Sequence, residues 1–213
     1  MSLTEKQIEK NKEKVLGLLK NTNRPGIDNL VDWMVDETDF FTAPASTRLD
    51  YHGCYEGGLA EHSLNVYTLF DEKVERFNID IGDDEKTIAT LLHDLCKANL
   101  YVPSFTEKGN RSESKPYKVD DKFPIGHGEK SVFYAMRYIP LTEKEAVLIR
   151  WHMGAFDSSW EDNVDRVGKN CPAIYALHNA DLEASVYLDD KRIFTSLPEL
   201  PCQASAGRCI ALA

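Results

Sequence analysis

The stretch Leu91–Tyr101, LLHDLCKANLY, sets an imidazole and a carboxylate side by side immediately after two leucines. The leucines continue an apolar pattern of helical period, which predicts a helix over 84–98. His93 and Asp94 would then lie at the edge of the buried face of that helix, with Lys97 one turn further on. The purpose of these polar groups depends on where the other histidines of the chain lie.

Most of the remaining chain shows the same helical period. Further helices are predicted at 3–20, 27–36, 59–77, 128–139, 142–152 and 172–188. The segment 99–126 is rich in proline, glycine and polar residues, and is predicted to be one long loop or a small hairpin around PYKVDDKF. These patterns predict an all-α fold. We expect a single domain over 1–213, with N-terminal helices at 3–36, a core at about 40–190 and a short C-terminal tail at 195–213.

The composition excludes several classes of protein. At 213 residues, 42% hydrophobic and 28% charged, the chain is expected to be a globular cytoplasmic protein, and no apolar run is long enough to span a membrane. The five cysteines have no paired spacing, which indicates reduced thiols. The net charge of −10 disfavours binding to long nucleic acid, although metal ions would allow a small anionic substrate. No feature indicates an oligomeric state.

Histidines and aspartates recur on separate predicted helices. They are His62, His93 with Asp94, His127, His152 and Asp181. Helical bundles build metal sites from side chains that face inward from several helices, and imidazole with carboxylate suits Mn, Fe, Co, Ni, Zn or Mg. A lone histidine on an apolar stripe is usually a hydrogen-bonded core residue, but an ordered set on several helices favours a divalent metal site. His127 and His152 could instead contact the ligands or the substrate, and His178 is expected to be structural.

Five local strings accompany this order: GGLAEHS, LLHDLCK, GHGEKS, RWHMG and ALHNADLEAS. Together they resemble the HD superfamily of metal-dependent phosphohydrolases, in the variant with two extra histidines between the HD pair and the final aspartate. The resemblance covers about 40–190. It is closest to the HD domain of bacterial 3′-5′ exoribonucleases, which also share the upstream stretch APAST…YHGCYEGG.

The resemblance implies a helical bundle of HD type that holds one or two divalent metal ions. A first ion would be held by His62, His93, Asp94 and Asp181. A second would be held by His127 and His152, with Asp94 as a bridge. Asp94 and Lys97 are implied to be catalytic, with Lys97 binding phosphate. The implied function is hydrolysis of a nucleotide or small phosphodiester, as a phosphomonoesterase or phosphodiesterase, through a metal-bound hydroxide.

Three further side chains are candidate substrate contacts, and each has a plainer interpretation. His52 and Lys115 could lie in solvated loops, and Trp160 could serve packing, which is the commoner use of tryptophan. Lys97 itself could be a surface lysine with its aliphatic chain packed on the protein. Cys96 is predicted to be a small buried hydrophobe, because no basic partner for its thiol is evident.

Three other functions remain compatible with the sequence. A 3′-5′ exonuclease on short single strands would need a basic, aromatic groove near the metals. A nucleotide-sensing module would bind the metals without hydrolysis. A di-iron oxygenase of related architecture would form an oxidised product and release no phosphate.

Overall fold

The computed structural model describes residues 3–189, which fold as an all-α bundle, as predicted. The eight α-helices of this part of the chain are α1 (Glu5–Asn21), α2 (Ile27–Asp36), α3 (Gly58–Phe77), α4 (Asp83–Leu92), α5 (His127–Met136), α6 (Glu143–Trp151), α7 (Trp160–Asn170) and α8 (Ala173–Glu183). Short 3-10 segments cover Leu95–Lys97 and Gly154–Phe156, and a π-helical segment covers Ala184–Leu188. None of the described helices is long and apolar enough to cross a membrane. The predicted tail at 195–213 lies outside the described residues.

Helix α3 is central to the bundle, because it packs against α1, α4 and α8. Val66 and Phe70 of α3 are completely buried, as are Leu91 and Leu92 at the end of α4 and Leu177 of α8. Helix α4 also packs against α6. Burial of these apolar side chains fixes the relative positions of the helices whose ends carry the predicted metal ligands.

The predicted helix over 84–98 is interrupted. Helix α4 ends at Leu92, His93 is its C-cap, and Asp94 leaves the helix with φ −102° and ψ 19°. Successive side chains of a continuous helix point about 100° apart. The interruption therefore allows His93 and Asp94 to face the same side, which an unbroken helix would not.

Two other differences from the sequence-based expectations concern short elements. The strand Tyr117–Val119 pairs antiparallel with Tyr101–Pro103. The predicted hairpin around PYKVDDKF would have paired this strand with the residues that directly follow it. The observed hairpin is larger and spans most of the predicted loop. Helix α7 was not predicted, although Trp160, Val164 and Val167 have the i, i+4, i+7 spacing of an apolar stripe. The polar residues between them obscure that stripe.

The start of α6 is held by a buried ion pair. Thr142 and Glu145 form the capping box that the sequence TEKE indicates. The Glu145 carboxylate is fully buried and accepts hydrogen bonds from both terminal nitrogens of Arg24, at 2.9 and 2.6 Å. Arg24 thereby ties the turn between α1 and α2 to α6.

Replacement of Arg24 by alanine would leave the Glu145 charge buried without its partner. We expect Arg24→Ala to lower the free energy of unfolding by about 3 to 5 kcal/mol. Lys20→Ala is the matched control, because the Lys20–Asp28 pair is exposed and 3.9 Å apart, and it should cost less than about 1 kcal/mol. Urea denaturation of both variants measures the difference. Equal, small losses would contradict the structural importance of the buried pair.

Candidate metal centre

The Asp94 carboxylate lies at the centre of a buried cluster of imidazoles. Its Oδ1 is 2.7 Å from His127 Nε2 and 3.6 Å from His152 Nε2. Its Oδ2 is 3.4 Å from His93 Nε2 and 3.6 Å from His62 Nε2. The two oxygens of one carboxylate therefore face two different pairs of histidines, supplied by four segments of the bundle.

His93 and His152 occupy equivalent positions at the ends of two helices. Each is the C-cap of its helix, α4 or α6, and each is fully buried. The Nδ1–H of His93 donates to the carbonyl of Thr90, and that of His152 to the carbonyl of Ile149, both at 2.7 Å. These hydrogen bonds fix the tautomer and leave the Nε2 lone pair of each ring directed at the cluster.

His62 reaches the cluster from the first half of α3. Its Nδ1 lies 2.6 Å from the Asp189 carboxylate, and its Nε2 lies 3.1 Å from Oδ1 of Asp181 and 3.3 Å from Nε2 of His93. Asp181 lies on α8, and 15% of its side chain is exposed. Helices α3 and α8 therefore supply the side chains on the His62 side of the cluster.

The surroundings of the His152 Nε2 atom indicate whether a cation fits this cluster. It is buried and finds no hydrogen-bond partner among residues 3–189. Because its Nδ1 carries the proton, its lone pair faces the Asp94 oxygen 3.6 Å away, and two electron-rich atoms in that arrangement repel each other. A cation between them would turn the repulsion into attraction. The donor atoms of His93, Asp94 and His152 lie within 4.8 Å of one another, as do those of His62, His93 and Asp181. The residues thus fit a divalent ion.

His127 forms the outer side of the cluster. It is the first residue of α5, and 31% of its side chain is exposed, the largest fraction among the predicted ligands. Its Nδ1 lies 3.3 Å from the sulfur of Cys96, which is itself buried. The prediction that Cys96 lacks a basic partner was therefore wrong, because that partner lies 31 residues away in the sequence. Solvent therefore reaches the cluster on the His127 side.

Lys97 is part of the cluster and not a surface lysine. Its Nζ lies 2.7 Å from Oδ2 of Asp94, and 11% of its side chain is exposed. Burial lowers the pKa of this ammonium group, but the Asp94 charge outweighs burial and raises the pKa above its ordinary value. Lys97 therefore stays positively charged. In the same way, burial raises the pKa of Asp94, but the charge of Lys97 and the hydrogen bond from His127 hold it well below its usual range.

The remaining predicted contacts lie in different places. The His52 ring is 4.9 Å from the His62 ring, and its Nε2 is buried with no hydrogen-bond partner among residues 3–189. Trp160 is buried and packs against Trp151 and Tyr175, so its contacts in the structure are packing contacts. Lys115 is exposed in the loop between the strands. Among the described residues it forms no ion pair with the cluster, and its role in substrate binding stays a prediction.

Two further residues, Asp189 and His178, contact histidines of the cluster without belonging to the predicted ligands. Asp189, which was not predicted, contacts the outer nitrogen of His62. His178 donates from Nδ1 to the carbonyl of His152 at 2.8 Å, which is a structural contact. No spacing rule in the sequence identifies Asp189, because its partner lies 127 residues away.

No family model matches this chain, and no solved structure matches it. The chain is similar to the dihydroneopterin 2′,3′-cyclic phosphate phosphodiesterase of Methanocaldococcus jannaschii. The two are 30% identical over 125 residues, which is 56% of this chain and 44% of that enzyme. The matched part of the chain thus spans less than half the length of its curated relative.

Metal binding is expected to depend on pH, because two predicted ligands hold protons. Burial lowers the pKa of His62, but the Asp189 and Asp181 carboxylates outweigh burial and raise it to about 10. Burial likewise lowers the pKa of His127, but the Cys96 thiol and Asp94 raise it to about 9. Below these values each ring is protonated, and a metal ion must displace the proton to reach the nitrogen.

We therefore expect metal affinity to fall as the pH is lowered from 8.5 to 6.5. Saturation with Mn²⁺ near pH 7.5 should release about one to two protons per chain. Calorimetric titration in two buffers with different ionisation enthalpies measures that number. Affinity that does not change with pH, with no proton released, would contradict the predicted ligation by His62 and His127.

Proposed function

We propose that this chain is a divalent-metal-dependent phosphohydrolase of HD type that hydrolyses a small phosphodiester. The observation that carries the proposal is the position of Asp94, whose two oxygens face separate pairs of imidazoles. Similarity to a phosphodiesterase supports a diester over a monoester. The substrate in that enzyme's name supports a nucleotide-like 2′,3′-cyclic phosphate as the first compound to test.

The proposed ligand sets of two metal ions follow from the two carboxylate oxygens of Asp94, each of which faces a different pair of histidines. One ion would be held by His62, His93, Asp94 and Asp181, and a second by His127, His152 and Asp94. When bound, divalent ions lower the pKa of a water molecule and neutralise charge on phosphoryl oxygens. The donors are imidazole and carboxylate groups, which suit Mn, Fe, Co, Ni, Zn or Mg and do not select among them.

Lys97 is the candidate group for binding the phosphate. It is charged, largely buried and in contact with the carboxylate that joins the two halves of the cluster. An ammonium group in this position can donate to a non-bridging oxygen of the phosphodiester and stabilise the charge that develops there.

His52 is the candidate group for orienting the substrate. Burial, and next the charges of His62 and Lys97, lower the pKa of His52 to about 3, so its ring is neutral. A neutral imidazole adds no charge to the site. Its Nε2 has no hydrogen-bond partner among residues 3–189 and can form one hydrogen bond with a substrate.

The first experiment joins metal content to activity. We expect chain purified without chelator to contain metal by mass spectrometry, and to hydrolyse 2′,3′-cyclic nucleotides and bis-p-nitrophenyl phosphate with Mn²⁺ or Ni²⁺. His93→Ala and Asp94→Ala should lose both metal and activity, because each removes a donor atom from the buried cluster. Asp165→Asn, a change at an exposed residue of α7, is the control and should retain both.

The same panel separates the other functions. It also contains p-nitrophenyl phosphate, nucleoside triphosphates and short RNA. Hydrolysis of monoesters alone would contradict the diester assignment, and stepwise shortening of RNA from its 3′ end would identify an exonuclease. Bound metal without turnover would favour a sensing module. An iron-dependent oxidised product without phosphate release would identify an oxygenase.

The role of Lys97 makes a separate prediction. Lys97→Met keeps the length of the side chain but removes the charge that would contact phosphate. We expect kcat/KM for the cyclic phosphate to fall about 10- to 100-fold, the size of one hydrogen bond to a charged group. Lys108→Met, at an exposed residue of the loop between the strands, is the matched control and should behave as wild type. Unchanged kcat/KM in Lys97→Met would contradict a role of Lys97 in phosphate binding.

A further inference from the structure

We infer that Asp189 is a positioning residue of the metal centre, which acts by holding the His62 ring. The inference rests on the proposed function, because it concerns the same cluster. Asp189 is 3% exposed and lies behind His62, on the side away from Asp94. It belongs to neither ligand set proposed above.

Both carboxylate oxygens of Asp189 have partners on α3. Oδ2 lies 2.6 Å from Nδ1 of His62, and Oδ1 accepts a 2.8 Å hydrogen bond from the side-chain amide of Asn65. His62 and Asn65 are three residues apart and therefore lie on one face of the helix. Because Asn65 holds one oxygen, the other is directed at the imidazole, and the plane of the carboxylate is fixed.

The backbone after α8 brings Asp189 to this position. The helix changes to a π-helical segment at Ala184–Leu188, and the N–H of Asp189 donates to the carbonyl of Ala184, five residues earlier, at 2.9 Å. A π turn holds more residues than an α turn, so it changes the direction in which the following side chain points. Single π turns of this kind occur frequently at functional sites.

A carboxylate at the outer nitrogen has two chemical effects on His62. It keeps the proton on Nδ1, which leaves Nε2 as the nitrogen that faces the cluster, and it makes Nε2 a stronger electron donor. Asp181 has a different place, because it contacts Nε2 on the inner side of the ring. The segment from α8 onward therefore supplies one carboxylate to each nitrogen of the same ring.

His62 differs in this respect from the other buried ligands. The outer nitrogens of His93 and His152 donate to neutral backbone carbonyls, whereas that of His62 contacts a charged carboxylate. A charged acceptor strengthens the imidazole as a ligand more than a neutral one does. The ion on the His62 side of Asp94 should therefore depend on Asp189 for its affinity.

The test measures metal affinity in Asp189→Asn, which keeps the shape of the side chain and removes its charge. We expect titration with Co²⁺ at a series of pH values, which separates competition by the His62 proton, to show intrinsic binding about 10- to 100-fold weaker than in wild type, together with an altered visible spectrum of the bound ion. Asp165→Asn, the same chemical change at an exposed residue, should bind Co²⁺ as wild type does. Wild-type affinity and spectrum in Asp189→Asn would overturn the inference.

A double-mutant cycle shows whether Asp189 acts through His62. In a His62→Ala background, Asp189→Asn should cause no further loss of Co²⁺ affinity, because the ring it positions is absent. The same loss in both backgrounds would overturn the inference, since Asp189 would then act on the fold as a whole. Circular dichroism of the metal-free protein shows whether Asp189→Asn folds. If it does not, Asn65→Ala replaces it in the test, with an expected loss of Co²⁺ affinity of about fivefold.

Failure of this inference can be told from failure of the proposed function. A wild-type chain that binds Co²⁺ but hydrolyses no phosphoester would contradict the function, and the affinity of Asp189→Asn would still decide the role of Asp189. Full turnover in wild type, with unchanged affinity in Asp189→Asn, would overturn the inference alone.

Discussion

The burial of the Asp94 charge is the constraint on which the rest of the structure depends. An ionised carboxylate that is 2% exposed is stable only if charged or hydrogen-bonding partners replace water around it. Those partners come from α3, from the ends of α4 and α6, from the start of α5, and from Lys97. The bundle therefore has to bring these segments to one point, and the apolar contacts of α3 with α4 and α8 hold the frame on which they meet.

At two helix ends of this protein, one hydrogen bond both completes the helix and orients a histidine side chain. The last carbonyls of a helix lack partners within the helix. At the ends of α4 and α6, the Nδ1–H of the C-cap histidine, His93 or His152, satisfies a carbonyl three residues earlier. That hydrogen bond caps the helix and, in the same geometry, directs Nε2 at Asp94. The two helices thus place equivalent histidine side chains in the cluster through the same local rule, although they lie far apart in the sequence.

The sequence predicts most of the helices, because their apolar periodicity is a local signal. It also names the side chains that the fold brings together around Asp94, because their order along the chain follows a known pattern. It does not predict the end of α4, because Leu92 and Leu95 continue the helical spacing of apolar residues across the interruption. It does not predict the contact of Cys96 with His127 or that of Asp189 with His62, because both join residues that are distant in the chain. Such contacts are decided by the packing of whole helices, and no pattern within one segment records them.

The charges of the cluster indicate why two ions suit the proposed substrate better than one. Three carboxylates (Asp94, Asp181 and Asp189) and the Lys97 ammonium give a charge of about −2 when the imidazoles are neutral. One divalent ion would neutralise this charge and leave the proton on His127, whose pKa is raised to about 9. The chain as a whole is acidic, with a net charge of −10. A second divalent ion would displace that proton and make the cluster more positive, which favours the binding of a phosphodiester anion. The second pair of imidazoles, His127 and His152, would therefore strengthen the attraction of the proposed metal site for a small anion.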